Sequence, residues 1–69
     1  MTDHVYKKIE VVGTSSTSQD DAIRNAVAKA AKSVHNMRWY EVVESRGAIN
    51  GDAVSQFQVT LKIAFTLDD

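Results

Sequence analysis

Apolar and polar residues alternate most regularly near the end of the chain. Phe57, Val59, Leu61, Ile63, Phe65 and Leu67 are apolar, and Gln56, Gln58, Thr60 and Lys62 fill the positions between them until Ala64. Period two over this length predicts one long, half-buried strand from Ala53 to Leu67. The segment from Val5 to Val12 is rich in β-branched and aromatic residues and meets Gly13, which predicts a first strand ending there. Period two returns from Trp39 to Gly47, with Tyr40 and Val42 on one face and Trp39, Glu41 and Val43 on the other. Asn50-Gly51 predicts a two-residue hairpin turn, since both residues tolerate positive φ. Between the first two strands, Ile23, Val27, Ala30 and Val34 recur at helical spacing beside Ala22, Ala26 and Ala31. That pattern predicts one amphipathic helix from Ser18 to His35. Ser16 with Gln19 and Ser18 with Asp21 each fit a capping box, and Ser18 is the preferred N-cap. Asp20 and Asp21 then lie in the first turn, where the helix dipole favours negative charge.

The element order is β-α-β-β. A right-handed crossover followed by a hairpin puts the last and most apolar strand in the middle of the sheet. The expected fold class is α+β: a single domain over 1–69 in which a three-stranded antiparallel sheet wraps around one helix. The lengths do not match. A strand from Ala53 to Leu67 reaches about 50 Å, whereas the helix spans only about 25 Å. Apolar residues beyond the helix, around Phe65 and Leu67, are expected to meet another chain.

Composition points the same way. A chain of 69 residues buries a modest share of its surface, and domains this small usually need a disulfide, a metal or a partner subunit. The chain has no cysteine, and its two histidines, His4 and His35, lack zinc-ligand spacing and read as surface residues. Self-association is the remaining means of stabilisation. A net charge of −1 gives no electrostatic case for nucleic acid, and no apolar run approaches the roughly 20 residues needed to cross a membrane. The polar start Met1-Thr2-Asp3-His4 has no signal-peptide pattern, so a cytoplasmic protein is expected.

The candidate chemistry lies on the face of the sheet turned away from the helix. A tight Asn50-Gly51 turn pairs Ile49 with Asp52 and places Trp39 opposite Lys62, Glu41 opposite Thr60 and Val43 opposite Gln58. Alternation by itself assigns Trp39, Glu41, Val43, Gln56, Gln58, Thr60 and Lys62 to that face. Trp39, the single tryptophan, is therefore a large flat ring in a polar setting. It serves either as an interface aromatic or as a stacking platform for a planar ligand. Gln58 is either a solvated or interface glutamine, or a planar donor–acceptor pair suited to the imide edge of a flavin or pyrimidine. Arg46 suits a phosphate or an ion pair with Glu44 or Asp52. No nucleophile–base pair, phosphate loop or carboxylate pair is apparent, and no enzymatic activity is expected.

Several segments together resemble the dodecins, a family of dodecameric flavin-binding proteins. They are Val5-Tyr6-Lys7-Lys8-Ile9-Glu10, Val12-Gly13-Thr14-Ser15, Asp21-Ala22-Ile23, Trp39-Tyr40-Glu41-Val42, Arg46-Gly47 and Phe57-Gln58-Val59-Thr60-Leu61-Lys62. The resemblance implies a hollow homododecamer that stores FMN, with riboflavin and coenzyme A as further ligands it allows. It implies paired flavins sandwiched between Trp39 of two subunits, with Gln58 bonding the flavin edge and Arg46 near its side chain. Ala64-Phe65-Thr66-Leu67 stands where bacterial members carry Gly-Phe-Arg-Leu, a departure that bears on phosphate recognition. Ala48 and Gln56 stand where many members carry histidine. A purely structural or interaction shell that has lost its ligand is the competing reading.

Overall fold

A computed structural model describes residues 3–67. Four elements follow one another: β1 (Tyr6–Ser15), α1 (Gln19–Ala30), β2 (Met37–Asn50) and β3 (Ala53–Thr66). The strands form one antiparallel sheet in the order β1-β3-β2, with the most apolar strand central, as the alternation predicts. Val59, Leu61 and Ile63 of β3 are buried against Ala22, Ala26 and Ala30 of α1, and Ile9, Val11, Ile23, Val27 and Met37 pack around them.

Alanine on the helix permits close approach, and Gly13 makes the closest. A Cβ there would lie 2.8 Å from the Ala26 Cβ and nearer still to the Ala22 carbonyl oxygen. Gly13 therefore does not end β1 as predicted. It sits inside the strand, where a missing side chain lets the helix backbone come down onto the sheet. The strand continues to Ser15, whose buried hydroxyl donates to Asp21 Oδ2 at 2.7 Å and accepts from the Thr17 N–H at 2.9 Å. Ser18 is the N-cap, its Oγ accepting from the Asp21 N–H at 3.0 Å. The turn from strand to helix is thus built from serine hydroxyls and one aspartate.

The helix ends five residues before the predicted His35. The Lys32 and Ser33 N–H groups bond the Lys29 and Ala30 carbonyls, which tightens the last turn to the i→i−3 pattern. Asn36 then takes φ 64° and turns the chain into β2. Asparagine is among the few residues that adopt this left-handed conformation readily.

The hairpin register also differs from prediction. Asn50 pairs with Ala53, so the central turn residues are Gly51 and Asp52, and only Gly51 has positive φ, at 67°. A glycine in the first central position suits a II′-type turn, which moves the register by two residues without exchanging the faces. Register shifts between Ala48 and Ile49, between Val42 and Glu44, and between Met37 and Trp39 then interrupt the ladder. Each leaves an extra residue in one strand and inverts the alternation beyond it.

The helix is shorter than the sheet. Its 12 residues span about 18 Å, whereas the 14 residues of β3 span about 46 Å. The fold is consequently elongated, 55 Å along its longest axis. The helix packs on β1 and β3, and β2 is left largely uncovered. Tyr40, Val42 and Val43 stay about half-exposed, and a groove of about 630 Å³ runs between Tyr40 and the helix residues Ile23, Arg24 and Val27. Uncovered apolar surface lies at both ends of the sheet: Ile49, 76% exposed, with Val54 at the hairpin, and Val5, Tyr6 and Leu67 at the expected Phe65–Leu67 end. Leu67 is partly exposed there, but Phe65 is half-buried.

The contact at Gly13 yields a stability test. Gly13→Ala forces the helix off the sheet, and overpacking of this kind costs about 1–3 kcal/mol. The expected result is a lower urea midpoint with an unchanged far-ultraviolet spectrum, measured at fixed protein concentration. A midpoint equal to the parent's would show that the helix shifts without cost.

Candidate functional site

The face turned from the helix carries Trp39, Glu41, Glu44 and Arg46 on β2, beside Ala64, Lys62, Thr60 and Gln58 on β3. Lys8, Glu10, Val12 and Thr14 of β1 flank the same residues of β3 from the other side. Trp39, Gln58 and Arg46, the three candidate site residues, therefore share one face. For Arg46 this depends on the bulge at Val43. Strict alternation from Trp39 would have sent Arg46 to the helix side, but one extra residue inverts the order and sets Arg46 opposite Gln58. Val43, expected opposite Gln58, is instead the residue without a partner.

The three residues share a face without meeting. Trp39 pairs with Ala64 and Arg46 pairs with Gln58, six residues along β3, about 20 Å away. One chain brings Arg46 and Gln58 together and holds Trp39 apart. Gln58 is half-buried, and its Nε2 donates to Gln56 Oε1 at 2.7 Å, which leaves its own Oε1 and second N–H for another partner. Arg46 is exposed and, among the described residues, pairs with neither Glu44 nor Asp52.

Trp39 has a more elaborate setting. The residue is 42% exposed. The Tyr6 ring stands edge-on to it, with centroids 4.8 Å apart and planes at 62°. The indole Nε1–H donates to Glu41 Oε2 at 2.9 Å. The same Glu41 carboxylate forms an ion pair with Lys8, which reaches diagonally across β3 from β1. Lys62 lies between Glu10 and Glu41 in register, so charges alternate across this part of the sheet. Sequence reasoning missed Tyr6 and Glu41. Glu41 was legible, because two residues of spacing on a strand put it on the same face as Trp39. Tyr6 was not, because its place depends on the β1–β3 register.

Thr66 takes a different role from that of a ligand contact. It is 8% exposed, and its Oγ1 accepts from Arg38 Nε at 2.9 Å. Arg38 is the extra residue of the bulge between Met37 and Trp39. A guanidinium therefore lies beside position 66, supplied from the neighbouring strand. No group of three or more His, Cys, Asp or Glu side chains that could hold a metal ion occurs among the described residues.

The chain is thus a small β-α-β-β domain that carries an exposed, braced tryptophan on its polar face. The chain belongs to the dodecin family, whose family model, described as Dodecin, matches residues 5–68. It is 43% identical over 65 residues to the dodecin of Thermus thermophilus, covering 94% of each chain. The structure of dodecin from Streptomyces davaonensis superposes with a TM-score of 0.93 at 43% identity, covering 99% of this chain and 100% of that one. A more distant structure is the calcium dodecin of Mycobacterium tuberculosis, with a TM-score of 0.79 at 32% identity, covering 93% of this chain and 91% of that one. That protein's description records a calcium-binding site.

The bracing of the indole depends on pH. The Lys8 ammonium first, and the Trp39 N–H second, hold the Glu41 carboxyl below its ordinary value. A depressed carboxyl keeps its interactions above the ordinary value and loses them as pH falls through the lowered one. Tryptophan fluorescence anisotropy of the ligand-free protein should stay level through the usual carboxylate range and fall only below it. A fall centred on the ordinary glutamate value would mean that the carboxyl is not held down, and no fall at all would mean that Glu41 does not hold the indole in solution.

Proposed function

We propose that this protein is a flavin-binding storage protein, not an enzyme, that assembles as a hollow dodecameric shell and holds paired flavins between tryptophans of neighbouring subunits. The observation that carries this reading is the Trp39 indole, accessible on the polar face and already fixed in plane, in a chain of the dodecin family. A flavin supplies a planar conjugated ring for stacking and an imide edge for hydrogen bonds. Trp39 fits the ring face, the free amide atoms of Gln58 fit the edge, and Arg46 fits the phosphate of FMN.

Spacing supports an assembled site. Trp39 and Gln58 of one chain are about 20 Å apart, farther than one flavin ring reaches. A ring stacked on Trp39 and bonded to Gln58 takes the two side chains from different subunits. Uncovered apolar surface on β2 and the hairpin supplies a driving force for assembly, and partner subunits would stabilise the fold by mass action.

The test is a titration of the intact assembly with FMN and with riboflavin, following flavin fluorescence, with light scattering as a control on size. Quenching is expected with both flavins. Trp39→Ala should weaken binding by about 1–3 kcal/mol per ring, by analogy with base–aromatic stacking, while assembly persists. A protein that leaves flavin fluorescence unchanged would instead be a shell without this ligand. A folded monomer at micromolar concentration would remove the assembly from the reading.

Arg46→Ala separates the two ligands. Riboflavin lacks the phosphate, so the substitution should weaken FMN by roughly 1.5 kcal/mol more than riboflavin, the lower range for a hydrogen bond to a charged group. The difference should shrink in high salt. Equal effects on the two flavins would place Arg46 outside the phosphate contact.

A further inference from the structure

The contacts around Trp39 go beyond what an exposed stacking residue requires. An indole on a strand surface ordinarily samples several rotamers, and binding must then select one. Here the ring is held at two points. Tyr6 stands edge-on to it, and Glu41 takes its Nε1–H at 2.9 Å. Glu41 is itself held in place by Lys8 from the far edge strand, so the acceptor is fixed as well as present. Because the single N–H of the indole is already used, Trp39 offers a ligand its ring face and no hydrogen bond.

Resting on the flavin reading above, we propose that Glu41 is a positioning residue that presets the plane of Trp39 for a stacked ligand and spends its N–H within the protein. The ligand class is thereby narrowed to flat aromatic rings recognised by their faces, with polar recognition left to other side chains. Lys8 is the anchor that keeps the Glu41 carboxylate within reach. Glu41 acts through Trp39 and makes no contact with the ligand in this scheme.

A double-mutant cycle tests it. Glu41→Ala should weaken FMN and riboflavin alike by about three- to tenfold, the loss of one ordinary hydrogen bond. The same substitution made in a Trp39→Phe background should have no further effect, because phenylalanine has no N–H to position. Glu41→Gln, which keeps an acceptor oxygen, should recover at least half of the loss. In the ligand-free protein, Glu41→Ala should lower tryptophan fluorescence anisotropy, a readout that general destabilisation of a still-assembled protein would leave unmoved. An equal loss in the Trp39 and Trp39→Phe backgrounds would overturn the proposal, as would unchanged anisotropy. If Glu41→Ala fails to assemble, the cycle is run with Glu41→Gln and Lys8→Met under the same criteria. Failure of the flavin reading itself is separate: neither flavin would bind the parent, and the anisotropy comparison would then decide for or against Glu41 as the residue that holds the indole.

Discussion

A helix of 12 residues packed on one strand of 10 and one of 14 leaves much of the sheet uncovered, and much else in this structure follows from that shortfall. The helix rises about 1.5 Å per residue and a strand about 3.3 Å, so near-equal residue counts give very unequal lengths. The helix covers β1 and the middle of β3, where alanines and Gly13 allow close packing. Among the described residues, β2 and the hairpin are left largely uncovered. Apolar side chains left there are the surface on which the proposed assembly, and a site shared between subunits, would rest.

Bulges convert this long hairpin from a simple ribbon into a carrier of chemistry. A regular β2 would place Trp39 and Arg46 on opposite faces, since seven residues separate them. The extra residue at Val43 restores Arg46 to the tryptophan face, beside Gln58, and the extra residue at Arg38 brings a guanidinium to Thr66. Such insertions cost ladder hydrogen bonds, and they are commonly found where a side chain must be re-aimed. They also add twist, which suits a sheet that curves around a helix.

The tryptophan face joins two kinds of interaction with different roles. The proposed stacking would give a ligand contact area without strong directionality, whereas the Lys8–Glu41–Trp39 chain and the Tyr6 ring give direction to the indole surface itself. Exposed ion pairs contribute little to stability. Their value here lies in geometry: the pair holds an acceptor where the indole N–H can reach it. Ordering the platform before a ligand arrives reduces the entropy lost on binding.

Alternation from Gln56 to Leu67, the alanine-lined helical period and Ser18 with Asp21 determined the element order, the central strand, the N-cap and the polar face of Trp39. These are consequences of short-range periodicity and capping, which neighbouring residues encode directly. Alternation and side-chain chemistry singled out Trp39, Gln58 and Arg46, the family resemblance implied their roles, and composition pointed to self-association. Only the tertiary structure decided that Gly13 lies inside a strand, because its missing Cβ makes room for a helix that is distant in sequence. Tertiary structure also decided where alternation inverts, since a bulge is defined by two strands together and leaves little mark on either one. It placed Tyr6 against the indole, Lys8 against Glu41, Arg38 against Thr66, and Trp39 well away from Gln58. Each of those relations depends on register between strands, which is set by the turn and the bulges after the pattern of hydrophobic residues has chosen the faces.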